Sequence, residues 1–142
     1  MHVVGLVLRC FKPAANAGVR SNRSMRRKPR LYLDRDSVCM GDDMTPHNEE
    51  WIIRPEHDLL ILLNLCKKEF LPTNIQGANP GWRAMWNGEA IAIIGQSWQS
   101  AKIIEPDLTL EKIKDENGEI SLFFEYLINE DPEHIFTSTK NA

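Results

Sequence analysis

The sequence is short of cysteine, of long apolar runs and of any complete catalytic signature, and each shortage narrows what the chain does. Its three cysteines, Cys10, Cys39 and Cys66, lie 29 and 27 residues apart, which fits neither a zinc-binding pattern nor a disulfide framework. An odd and widely spaced set reads most simply as free thiols in a reducing compartment, so a cytoplasmic location is expected. No apolar stretch approaches the ~20 residues of a bilayer-spanning helix, which excludes an integral membrane protein. At 142 residues and 16.3 kDa the chain has the size of one domain, which excludes a multidomain enzyme. The run Gly77-Ala78-Asn79-Pro80-Gly81 lacks the Lys-Ser/Thr pair and the helix start of a phosphate-cradling loop. No internal repeat is present.

Acidic residues are also missing from one region. Residues 1–30 carry eight basic side chains and no Asp or Glu. The remaining 112 residues hold nine basic and all 20 acidic side chains, a net charge of -11. An acidic body of this kind repels nucleic acid and is steered toward basic partners. The reading is therefore a disordered basic N-terminal extension over 1–30 and one domain over 31–142. For the extension, a secretory signal is excluded because its apolar stretch, Val3 to Leu8, is too short and its charges follow it. An organellar transit segment and translation from Met25 stay open beside plain disorder. A nucleic-acid-binding tail lacks stacking aromatics, with Phe11 alone present.

What is there is an α+β pattern. Leu31 to Val38 and Glu49 to Arg54 read as two strands of a hairpin joined by the long turn-rich segment from Cys39 to Asn48. Leu59, Leu62, Leu63, Cys66 and Phe70 recur at helical spacing, and Leu60, Ile61 and Leu65 widen the stripe, which predicts a largely buried helix stopped by Pro72. Trp82 to Trp86 and Glu89 to Ile94 flank Asn87-Gly88, the strongest hairpin signal in the chain. Ser97 to Ile104 adds a strand, and Asp107 to Lys114 is a helical turn or a short strand. From Ile120 to Ile128 apolar and other residues alternate, which favours a strand over a helix. Asp131-Pro132-Glu133 has the character of a helix start. The order ββαβββ, with a short C-terminal helix, predicts a mainly antiparallel sheet with one principal helix on one face, loosely like a β-grasp.

The hairpin loop draws attention for its chemistry. Asp42, Asp43, His47 and Glu49 can in principle hold a divalent ion, yet their spacing matches no recognised cage and lacks the closing Glu of an EF-hand. A solvated acidic turn is the expectation, with a metal-dependent hydrolase as the alternative. Asp42 and Asp43 are adjacent, so their side chains diverge, and an exposed turn offers no desolvation to separate their pKa values for acid and base work. Cys66 is expected as a small buried hydrophobe, and Cys39 has no positioned base. His2, His57 and His134 have no sequence-local triad partner. Trp51, Trp82, Trp86 and Trp98 are expected mostly in the core; a small-molecule site lined by them is a further alternative.

The run Ser37 to Asp43 with Pro46-His47, then Phe70-Leu71-Pro72, Trp82, Ala90 to Gly95, Phe124-Glu125-Tyr126 and Asp131-Pro132-Glu133, resembles small bacterial accessory proteins of the kind found among toxin immunity genes. The resemblance covers about residues 31–137 and transfers no catalytic residues. It implies a stand-alone accessory domain, and no cofactor is expected. Together with the charge it gives the expectation of an acidic module that captures a basic protein, with Asp34, Asp36, Asp42, Asp43, Glu49 and Glu50 as contacts. The sharper form is an immunity protein that neutralises a cationic, nuclease-like toxin domain; a non-catalytic ligand-binding or structural subunit is the remaining option.

Overall fold

A computed structural model describes residues 28–38, 46–72, 80–128 and 130–142. The extension over 1–27, Cys39, Asp42 and Asp43 lie outside the described residues. Strands β1 (Arg30–Arg35) and β2 (Glu49–Ile52) precede helix α1 (Leu59–Glu69). Strands β3 (Gly81–Trp86), β4 (Glu89–Gly95) and β5 (Lys102–Ile103) follow, then the single turn α2 (Leu110–Ile113), strand β6 (Ile120–Leu127) and helix α3 (Pro132–Lys140). The strands form one sheet in the order β2-β1-β6-β3-β4-β5. Every neighbouring pair is antiparallel except β1 and β6, the second and third strands in that order, which run parallel. The fold is thus α+β, as the sequence pattern indicates, with a mixed sheet in which the first and last strands are neighbours.

Alternation decides the two faces. Leu31 and Leu33 of β1 stand in register with Ile120 and Leu122 of β6, Ala84 of β3 with Phe124, and all are buried. These side chains meet Leu59, Leu62, Leu63, Cys66 and Phe70 in the principal core. The Asp58 carboxylate caps α1 by accepting the N–H of Ile61 at 2.8 Å, and Phe70 ends the helix by donating to the carbonyl of Cys66. Of the residues expected to widen the stripe, Leu65 packs against the core, whereas Leu60 and Ile61 are 38% and 44% exposed. They follow Leu59 by one and two helical steps of ~100°, and a helix lying on a sheet buries only one stripe of its circumference.

The Asn87-Gly88 turn has φ of 51° and 81°, the left-handed pair that a two-residue hairpin connection demands. Of the strand expected over Ser97–Ile104, only Lys102–Ile103 pairs. The Asn64 side chain of α1 diverts the rest, accepting the N–H of Ala101 at 2.8 Å and donating to Ser100 Oγ at 3.1 Å.

The opposite face is only partly covered. Asp131 caps α3 and Pro132 occupies its first turn. Ile135 and Phe136 then pack on Ile93, Ile104 and Leu127, a second and smaller core. The helix lies close over β3, since a Cβ at Gly81 would stand 2.7 Å from Pro132 Cγ. The rest of this face, across β1, β6 and the far end of β3, carries no helix among the described residues.

Candidate functional site: an acidic groove on the open face

On the face away from α1, β1 presents Tyr32 and Asp34, β6 presents Ser121, Phe123 and Glu125, and β3 presents Arg83 and Met85, as the alternation of buried partners requires. At the end nearest the Asn87-Gly88 turn these residues form an open groove of about 760 Å³, lined by Tyr32, Asp34, Glu49, Glu50, Met85 and Phe123 among others. Its floor is apolar. Phe123 stands in register with Asp34 on one side and with Met85 on the other, and its ring is 38% exposed.

The charges around the groove fall into two groups. Glu50 is neutralised by an ion pair with Arg30, and further along the face Arg83 Nη1 meets Glu125 Oε1 at 2.6 Å. Asp34 differs. Its Oδ1 accepts the N–H of the next residue, Arg35, at 2.8 Å, and no cationic side chain pairs with it among the described residues. Glu49 is half-buried, with Oε1 accepting the Trp51 indole N–H at 2.9 Å. Burial raises its carboxyl pKa above the ordinary value, and the Trp51 hydrogen bond and the nearby Arg35 charge pull in the other direction.

Of the six carboxylates expected as contacts, the open face presents Asp34 and Glu50 at the groove, whereas Glu49 stands in register with Leu33 and turns its carboxylate to Trp51 on the α1 face. Asp36 is held in the sheet instead: its Oδ2 accepts the Tyr126 N–H at 2.9 Å, and its own N–H donates to the Phe124 carbonyl at 3.0 Å. Asp42 and Asp43 lie outside the described residues. His47 lies 2.8 Å through Nε2 from Ser37 Oγ, which draws the two ends of the hairpin loop together. Among the described residues no group of three His, Cys, Asp or Glu side chains is placed to hold a metal ion.

The groups with nucleophilic or acid–base potential are otherwise engaged. Cys66 is a buried free thiol; burial, and then the Glu49 carboxylate, push its pKa up, away from the thiolate a nucleophile needs. His57 accepts the Arg54 N–H through Nδ1 at 3.1 Å, and its pKa is held down mainly by burial. Trp51 and Trp82 are buried, Trp86 and Trp98 half-buried, and no tryptophan lines the groove.

Sequence reasoning reached the carboxylates and missed the floor. The signal was present in β6, where a large aromatic, Phe123, occupies a position of solvent parity between buried Leu122 and Phe124. No family model matches the chain, and no curated protein or solved structure shows significant similarity to it.

Proposed function

We propose that this protein is an acidic protein-binding module that captures a basic partner on the groove of its open sheet face. The observation that carries the reading is the placing of the exposed Asp34 and Glu50 carboxylates on one groove whose floor is the exposed Phe123. Exposed carboxylates on a body of net charge -11 steer a cationic partner and favour its encounter over that of nucleic acid. An exposed aromatic supplies the apolar anchor that charge alone does not. The finer reading, an immunity protein occluding the basic active site of a nuclease-like toxin, rests on the resemblance of residues 31–137 and on the same charge. A cytoplasmic setting agrees with Cys66 standing as a free thiol.

The test is capture of host proteins by the immobilised full chain at low and moderate salt, with mass spectrometry of what is retained. One stoichiometric basic protein is expected, weakened by salt and lost from a variant carrying Asp34→Asn and Glu50→Gln. Retention unaffected by that double change would remove the groove from the reading. Where the partner has an enzymatic activity, titrating the chain against it decides whether capture also inhibits.

A further inference from the structure

We infer that the groove holds a seat for an arginine side chain, built from the Phe123 ring and the Asp34 carboxylate; this rests on the protein-binding reading above and names the partner group that the site receives. The two residues are register partners on adjacent parallel strands, so their side chains stand side by side on one face. Both lack what their chemistry seeks. Elsewhere in the fold, rings are capped by cations: Arg35 lies 5.9 Å from the Phe70 centroid, and Lys102 lies 4.5 Å from that of Trp98 and 5.5 Å from that of Phe136. No cation and no second ring covers Phe123 among the described residues. The carboxylates on the same face likewise have partners, Glu50 with Arg30 and Glu125 with Arg83, whereas among the described residues Asp34 receives only a backbone N–H.

A guanidinium satisfies both vacancies in one placement. It is planar and weakly hydrated, so it stacks on an aromatic face while its N–H groups bond a carboxylate in the same plane. An ammonium is a strongly hydrated point charge that meets the carboxylate but makes poorer use of the ring. Met85, on the far side of Phe123, offers further apolar surface to the aliphatic stem of the incoming residue. Arginine is therefore favoured over lysine, and a neutral isostere is rejected.

The experiment titrates the isotopically labelled full chain with three capped tripeptides, Gly-Arg-Gly, Gly-Lys-Gly and Gly-citrulline-Gly, and follows backbone amide shifts. The arginine peptide is expected to move the amides of Tyr32, Asp34, Met85 and Phe123 and to bind several-fold more tightly than the other two. Phe123→Leu, which keeps the apolar volume and removes the ring, and Asp34→Asn, which keeps the shape and removes the charge, are each expected to weaken it about two- to fivefold. Equal affinity for arginine and lysine, shifts centred elsewhere, or indifference to both variants overturns the inference. Arginine affinity that rises when Arg9, Arg20, Arg23, Arg26 and Arg27 are all changed to Ser would place the chain's own arginines in the seat and overturn its assignment to a partner. If the peptides fail while carboxylate-dependent capture of a basic protein persists, the arginine seat is wrong and the binding reading stands. If the arginine peptide binds as expected and no basic partner is captured, the seat stands and the binding reading falls.

Discussion

Phe123 and Phe124 are neighbours on β6 that point to opposite faces of the sheet. Phe124 is fully buried, its ring 5.9 Å from that of Phe70 beneath α1. Phe123 is 38% exposed, beside a carboxylate that has no cationic partner among the described residues. The same side chain thus does two kinds of work one residue apart. On the α1 face the alternation of β1, β3 and β6 is answered by a helix whose buried stripe closes the core. On the other face α3 covers only the end of the sheet around β4 and the C-terminal end of β6. Stability is concentrated on one side and a free surface is kept on the other.

The comparison breaks first at these two phenylalanines. Phe124→Ala is expected to cost about 3–5 kcal/mol through lost transfer energy and an unfilled cavity, whereas Phe123→Ala, at a partly exposed position, is expected to cost about 1–2 kcal/mol; urea unfolding of the pair measures both. Similar losses from the two changes would show that the open face is as structural as the covered one. The next largest effect tests the covered end of the open face. Gly81→Ala drives a Cβ into Pro132 and is expected to cost about 1–3 kcal/mol, with the amides of α3 exchanging faster while the Asp34 and Phe123 amides keep their protection.

Smaller effects sharpen the covered side. Asp58→Ala removes the cap of α1 and is expected to lower stability by about 1 kcal/mol, a loss borne by the covered face and read by thermal unfolding. Glu49→Gln acts beside Trp51 at the β2 edge of the covered face and depends on pH. The folded protein holds the Glu49 proton more tightly than the unfolded chain, so the stability this group contributes is full below its ordinary value of 4.5 and is lost as pH rises through the raised folded value. Gln keeps an acceptor for the Trp51 indole and removes the charge. The variant is therefore expected to match the parent at low pH and to exceed it near neutrality, by about 0.5 kcal/mol or less for a group still in contact with water. A gain that is the same at all pH values would exclude the charge as its cause.

The features written in local chemistry were the legible ones. Asn87-Gly88 set the β3–β4 hairpin, Asp131-Pro132 set the start of α3, and the period-two pattern of Ile120 to Leu127 set β6. Features decided by distant partners were not. Nothing near Leu31 or Ile120 announces that they pair in parallel, because that pairing depends on how the intervening chain is folded. The loss of strand over Ser97 to Ala101 comes from an asparagine on α1. The exposure of Leu60 and Ile61 follows from the flatness of the surface beneath the helix, which a wheel of residues does not reveal. For the site, the carboxylates were legible as charge. Their gathering at Phe123 required the registers of β1, β6 and β3.

The parallel seam between β1 and β6 also fixes when the sheet is complete. Leu31 meets Ile120, so the β1–β2 hairpin and α1 emerge from the ribosome long before the strand that joins them to β3 and β4. At about 5–20 residues per second, the interval between those two partners is roughly 5–20 s. Throughout it β1 holds an inner edge with no neighbour, an open template for pairing with another nascent chain. Closure is a late event that brings both halves of the sheet together at once, and it also creates the groove, since Asp34 and Phe123 come from its two sides. Truncation before Ile120, which removes all of β6, is therefore expected to yield aggregation in place of a folded fragment.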